Sequence, residues 1–154
     1  MKIRKLTKKD FKNAIDVVKQ LHPKWFDNFA TNKSIPLDLK IHKGFVAEEN
    51  GKIIGFLTFT SSEGEMKISW MGVDPKLHRK KVGTKLLEAV EKELKELGLK
   101  ELRVDTLAES IISKPYEKTR LFYKDRGFKV EKIKKIISKD TGKISDLATL
   151  VKNL

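Results

Sequence analysis

The stretch from Ser69 to Leu97, SWMGVDPKLHRKKVGTKLLEAVEKELKEL, constrains this chain more than any other. A short apolar run, Ser69 to Val73, ends at Asp74-Pro75. A basic loop, His78-Arg79-Lys80-Lys81, then leads through Val82-Gly83-Thr84 into a long amphipathic pattern. The pattern reads as strand, loop and helix. The first turn of a helix leaves backbone N–H donors without internal partners, and the helix dipole adds partial positive charge there. Beside these basic side chains such a turn suits an anion, and Gly83 has no Cβ to hold a phosphate off the backbone. A pyrophosphate-bearing, nucleotide-like cofactor is therefore expected here, although the same succession of elements also occurs as plain structure. The loop is neither a Walker G-x-x-x-x-G-K-[ST] nor a dinucleotide-binding G-x-G-x-x-G.

The rest of the chain arranges itself around that unit. Lys2 to Leu6 reads as a strand, and Thr7 opens a helix with Asp10 as an acidic variant of the capping box. Phe11, Ala14, Ile15, Val18 and Leu21 share one helical face, and Pro23 stops the helix. Between Pro23 and Gly44 the pattern is less regular. Trp25, Phe26 and Phe29 cluster on a short helix that Ser34-Ile35-Pro36 is expected to break. Gly44–Glu49, Ile53–Thr60 and Glu65–Val73 read as an antiparallel meander, turned at Asn50-Gly51, where both residues tolerate positive φ, and again at Ser61–Gly64. The long helix carries Leu86, Leu87, Val90, Leu94 and Leu97 on its apolar stripe and Glu88–Lys92 and Glu91–Lys95 on its wet side, ending at Gly98. Leu99–Leu107 alternates as a strand, and the intervening helix lets it lie parallel to 65–73. A loop, a helix over Tyr116–Arg126, and a hairpin of Phe128–Ile137 with Lys143–Val151 complete the chain.

Two motifs resemble one family. V-x-P-x-x-H-R-K-x-V-G-T-K-L-L is similar to the acetyl-CoA loop of the GNAT-type N-acetyltransferases, whose Q/R-x-x-G-x-G/A falls on His78, Arg79, Lys80, Lys81, Val82 and Gly83. His78 replaces the usual Gln or Arg. Lys81 replaces the first glycine, which calls for a backbone angle that a non-glycine can adopt or for a remodelled loop. The second motif, Tyr116-Glu-Lys-Thr119-Arg120-Leu-Phe122-Tyr123-Lys-Asp-Arg-Gly127-Phe128, resembles N-x-x-A-x-x-x-Y-x-x-x-G-F, with Tyr116 for the asparagine and Thr119 for the alanine. The resemblance spans nearly the whole of residues 1–154 as a single domain. It implies an α/β (α+β) fold of the acyl-CoA N-acyltransferase type: a mixed, mostly antiparallel sheet of six or seven strands with helices on both faces. The sheet would open between 66–73 and 99–107.

The resemblance also implies an activity: transfer of an acetyl group from acetyl-CoA to a primary amine by direct attack on the thioester. Met71, Gly72 and Val73 would bond the pantetheine arm as another strand does. His78, Arg79, Lys80, Lys81, Val82, Gly83 and Thr84 would hold the phosphates, with Tyr116 and Thr119 also at the cofactor. Tyr123 would give a proton to the departing thiolate, the alternative being a core tyrosine beside Phe122. No fixed base carries over; Glu65 is the first candidate, with Asp105 and Glu109 behind it. Trp25, Phe26 and Phe29 either close the core or shape an acceptor pocket. The acceptor, a small molecule or a protein, is not readable from these residues. Rival readings are a domain that binds acyl-CoA without turnover and a basic nucleic-acid module.

Composition trims the field. Net charge is +13 from 34 Lys and Arg against 21 Asp and Glu, but the lysines are dispersed among glutamates, as in proteins from hot environments, and no RNA or DNA motif is present. The absence of cysteine excludes disulfides, thiolate metal sites and a cysteine nucleophile, and His22, His42 and His78 lack metal-ligand spacing. No apolar segment has the length of a membrane span and the first residues lack a secretion signal, so the expectation is a cytoplasmic monomer or homodimer.

Overall fold

The computed structural model describes residues 1–78 and 80–154. Seven strands form one sheet: β1 (Lys2–Lys5), β2 (Lys43–Glu49), β3 (Lys52–Ser62), β4 (Glu65–Val73), β5 (Glu101–Leu107), β6 (Lys129–Ile137) and β7 (Ile144–Asn153). Their spatial order is β1-β2-β3-β4-β5-β7-β6. The β4–β5 pair is parallel and every other neighbouring pair is antiparallel. The C-terminal hairpin is thus present, and β7 rather than β6 docks against β5.

Helices cover both faces. On one face α1 (Phe11–Leu21) and α2 (Ile35–Ile41) bury Ala14, Val18, Leu21, Ile35 and Leu39 against Val46 and Phe56. On the other, α3 (Val82–Glu96) and α4 (Lys114–Asp125) pack Leu86, Leu87, Val90, Leu94 and Tyr123 against Leu102, Val104 and Leu150. Each face therefore reads the period of its own helices: 3.6 along the helix, 2 along the strand. Two details depart from the sequence reading. Leu97, placed on the apolar stripe, is 66% exposed because the helix has already ended. Glu91, placed on the wet side, is buried and accepts from Lys152 Nζ at 2.7 Å.

The segment before β2 also differs. The backbone is helical without interruption over 28–41, so Ser34-Ile35-Pro36 is not a break. Proline in a helix clashes with the carbonyl four residues back. Here Ala30–Ser34 takes a wider π turn, and Pro36 falls in the first turn of α2, where its missing N–H costs nothing.

What opens the sheet is one extra residue. Along the β3–β4 ladder Phe59 faces Ile68 while Thr58 faces Trp70, which leaves Ser69 as a bulge. A bulge bends its strand and sharpens the local twist. The parallel β4–β5 ladder is registered at Lys67↔Arg103 and Ile68↔Val104. Just past that point the strands part: β4 continues along β3 and β5 along β7.

At the sheet's other edge, Arg4 clamps the entry to α1. Its guanidinium donates to both oxygens of Asp10 at 2.9 and 2.8 Å, and Asp10 also accepts from the Thr7 N–H at 2.8 Å. The hydrogen bond from Arg4 is the main reason that the Asp10 carboxyl is held below the usual carboxylate range, burial opposing it. A depressed carboxyl contributes stability that is present above its unfolded value of about 3.9 and lost as pH falls through its lower folded value. Arg4→Met should therefore lower stability at neutral pH and flatten the fall in Tm between pH 4 and pH 2; a parallel downward shift across that range would contradict it.

Candidate active site

The opening between β4 and β5 is lined by backbone. Asp74 N–H bonds Ile54 C=O at 2.9 Å, so that pair exchanges its hydrogen bonds with β3. In an antiparallel ladder alternate residues face opposite ways. Val73 and Met71 therefore turn their N–H and C=O groups towards the gap. The Val73 carbonyl is taken there by the His78 Nε2–H at 2.9 Å. Among the described residues, the N–H groups of both and the Met71 carbonyl remain on a free strand edge, the kind that an extended amide chain can join.

The head of α3 stands beside that edge. Lys81 precedes the helix at φ 64°, ψ 17°, the left-handed conformation that the usual glycine would take. For a lysine this costs roughly 1–2 kcal/mol, so the loop keeps its shape at some cost in stability. The Lys81 side chain makes no cap hydrogen bond, and the N–H groups of Val82, Gly83 and Thr84 sit in the first turn of the helix, where helices have donors to spare. Lys80, Lys81 and His78 are exposed around it. Arg79 lies outside the described residues.

Gly83 has a different reason from the one that its sequence suggests. A Cβ built there would meet the Phe122 ring at 3.3 Å and Met71 Sδ at 3.7 Å, so it would point into the protein, not towards a phosphate. The glycine lets the head of α3 sit directly on α4 and β4. In Gly83→Val the added methyl groups would push that head away and misaim its donors. Affinity for coenzyme A should fall about tenfold or more; calorimetry giving the parent's Kd would remove the loop from cofactor binding.

Tyr116, Thr119 and Tyr123 lie along α4. Tyr116 O–H donates to the Trp25 carbonyl, and the Trp25 ring meets His78 edge-on at 5.1 Å between centroids. One string of contacts thus runs from α4 through the segment after α1 to the basic loop and the end of β4. Burial, with a contribution from Asp27, pushes the Tyr116 phenol up to about 12. The Thr119 hydroxyl donates to the Pro115 carbonyl of its own helix at 3.1 Å. Tyr123 is buried between Phe122 and Phe128, both edge-on to it. Its hydroxyl has no hydrogen-bond partner among the described residues. Burial raises its pKa, with Tyr116 adding to the effect, so it stays protonated at neutral pH.

Glu65 does not join this group. It begins β4, on the far side of the paired register from the opening and six residues from Met71, roughly 20 Å along a strand. Its carboxylate lies 3.5 Å from Arg103, which also holds Glu101 and Glu131. The other carboxylates fare no better as bases. Burial opposes the charge on Asp105, yet the Thr149 hydroxyl at 2.6 Å, Lys67 at 3.2 Å and Lys134 at 3.5 Å outweigh it and hold its pKa low. Glu109 is exposed, and its pKa is lowered by the hydrogen bond from Lys124.

One residue that the sequence reading passed over belongs here. Arg126 donates from Nε and Nη2 to Thr84 Oγ1 at 3.0 and 2.5 Å and from Nη1 to the Phe122 carbonyl at 2.9 Å, with its guanidinium 3.8 Å over the Phe122 ring. It ties the C-terminal end of α4 to the head of α3 and brings a further cation beside the first turn. Its only signal was its place just before Gly127-Phe128 in the second motif.

A parted parallel pair, a free strand edge and an uncapped helix head meeting at one point is the arrangement that the two motifs implied. The family model described as acetyltransferase (GNAT) domain matches residues 40–130, from the end of α2 through the start of β6. The chain belongs to the GNAT acetyltransferase family. Solved structures agree on its fold. The ribosomal-protein-S18-alanine N-acetyltransferase of Escherichia coli superposes with a TM-score of 0.72 at 22% identity, covering 99% of this chain and 92% of that one. The IAA acetyltransferase of Bacillus cereus gives 0.71 at 21%, covering 99% of each. An aminoglycoside 6'-N-acetyltransferase complexed with coenzyme A gives 0.74 at 15%, covering 99% and 97%. A search of curated proteins gives no significant sequence match. No helix among the described residues of this GNAT chain is long and apolar enough to cross a membrane.

Proposed function

We propose that this chain transfers the acetyl group of acetyl-CoA to a primary amine. The observation that carries the reading is the gap beyond Ile68↔Val104 with the uncapped head of α3 beside it. The free edge at Met71 and Val73 fits a pantetheine arm. The N–H groups of Val82 to Thr84, with Lys80, Lys81 and Arg126, fit its phosphates. Acetyl-CoA supplies an activated acyl group whose thiolate is a better leaving group than an alkoxide or amide.

The chain's own groups have three tasks. A backbone N–H on the free edge of β4 stabilises charge developing on the carbonyl oxygen. Tyr123, kept protonated by burial, donates its proton where negative charge builds on sulfur. The acceptor must lose a proton before it attacks, since an alkylammonium has a pKa of about 10.4. The amine would arrive on the α1–α2 face, opposite the phosphates. There Asp140, in the β6–β7 turn, accepts from the N–H groups of Asn28 and Phe29 at 2.7 and 2.9 Å and joins that turn to the start of the helical segment over 28–41.

The structural neighbours are named for different acceptors, a ribosomal-protein alanine and an aminoglycoside among them. The test is therefore a panel: acetyl-CoA with an alanine-start peptide, free lysine, spermidine and an aminoglycoside, with thiol release and acetylated product both followed. Product on at least one amine is expected. Thiol release on none, with coenzyme A bound, would leave a binding domain and overturn the reading.

A further inference from the structure

Glu65 is remote, and Asp105 and Glu109 are each paired with lysine, yet an amine needs a proton acceptor. On the α1–α2 face a hydrogen-bonded chain of side chains supplies one. The bulge turns both Ser69 and Trp70 towards α2. Ser69 Oγ lies 2.9 Å from His42 Nδ1 and 2.8 Å from Thr58 Oγ1. His42 follows the last turn of α2, and its Nε2 faces Asp38 Oδ1 at 3.7 Å, one helical turn back. The other Asp38 oxygen accepts from the Trp70 indole N–H at 2.7 Å, which fixes the carboxylate. Asp38 is the one charged group within ion-pair reach of the His42 ring among the described residues. Thr58 and Ser69 reach it from β3 and β4, and both are uncharged.

We infer that Ser69 and His42, oriented by Asp38 and Thr58, deprotonate the acceptor ammonium; this rests on the acetyl-transfer reading above. Ser69 is the first residue of β4 beyond the paired register, so its hydroxyl stands at the mouth of the gap on the side from which the amine comes. With Nε2–H towards Asp38, the His42 Nδ1 is an acceptor; the Thr58 hydroxyl can donate to the Trp70 carbonyl at 3.5 Å or to Ser69 at 2.8 Å, and the shorter contact, taken here, leaves the serine proton free to point at His42. The ammonium gives one proton to Ser69 Oγ as the serine proton passes to His42 Nδ1. The products are a neutral amine and an imidazolium 3.7 Å from the Asp38 carboxylate. No bond other than these N–H and O–H bonds is made or broken in the step.

The experiment is the pH–rate profile of kcat/KM for the alanine-start peptide and spermidine, in the wild type, His42→Gln, Ser69→Ala and Ser69→Thr, with coenzyme A affinity measured on each. The wild type should show an acid limb. His42→Gln and Ser69→Ala should lose about 100-fold on spermidine and about tenfold on the peptide at pH 7, lose that limb, and close on the wild type as pH nears the amine's own value, about 8 for the peptide's α-amino group and about 10 for spermidine. Ser69→Thr, which keeps the hydroxyl, should stay within about threefold, and coenzyme A affinity should stay within about twofold throughout. A misfolded variant would lose coenzyme A affinity at every pH, and Ser69→Thr with Ser69→Ala then decides. Variants that keep the wild-type limb and rate overturn the relay alone. A wild type that acetylates neither these probes nor any other amine of the panel overturns the acetyl-transfer reading and the relay with it.

Discussion

Tyr123→Phe should lower kcat for acetyl transfer by about 100-fold or more, the range usual for losing a general acid, with the Kd for coenzyme A and the Tm close to the parent's. The small structural cost follows from the hydroxyl's surroundings. A buried Tyr O–H with a protein partner would cost about 1–3 kcal/mol to remove, but this one has none among the described residues, and the Phe122 and Phe128 contacts belong to the ring. The large kinetic cost follows from the same fact: a protonated hydroxyl with no partner among the described residues is available to a thiolate. A core tyrosine without a chemical role would show the opposite pattern, with kcat within twofold of the wild type. Replacing acetyl-CoA with an acetyl thioester of a more acidic thiol should shrink the defect, because a better leaving group needs its proton less.

Gly72→Val should be the most destabilising single change at the site. A Cβ at Gly72 would lie 2.8 Å from Phe56 Cε1 and 3.0 Å from Leu21 Cδ1, and Phe56 is fully buried. The ring cannot swing aside, so β4 or α1 must move. Overpacking of this kind costs about 1–3 kcal/mol, or a fall in Tm on the order of 5–10 °C for a chain of this size. Displaced β4 backbone would also misplace the Met71 and Val73 donors, so activity should fall further than stability alone explains. A thermal scan with Tm unchanged would mean that the close approach of Phe56 and Leu21 to β4 is not a constraint.

Periodicity makes the strand–loop–helix unit readable from the residues themselves. The Ser69–Val73 run, the basic turn and the Leu86-Leu87-Val90-Leu94 stripe each announce one element, and Asn50-Gly51, both at positive φ, marks the hairpin turn. The parting of β4 from β5 came from family resemblance, because an extra residue at Ser69 leaves no trace in a short apolar run. Pro36 misled for a related reason: a breaker marks a boundary only where the preceding turn keeps the i→i−4 pattern, and here a π turn absorbs it. Glu65 looked available because sequence shows a carboxylate's place on a strand but not the Arg103 that faces it from the next one. Arg126 and His42 were hidden in the same way. Their partners, Thr84 and Ser69, are 42 and 27 residues away, and only the folded sheet brings them together.

The most direct test is a crystal structure with coenzyme A bound. The expected result is a pantetheine arm lying between β4 and β5, bonded to the Met71 and Val73 backbone, with the diphosphate on the N–H groups of Val82 to Thr84 and its sulfur within reach of Tyr123. Coenzyme A bound elsewhere, with Ser69–Val73 paired to Asp105–Leu107 and the gap shut, would contradict it.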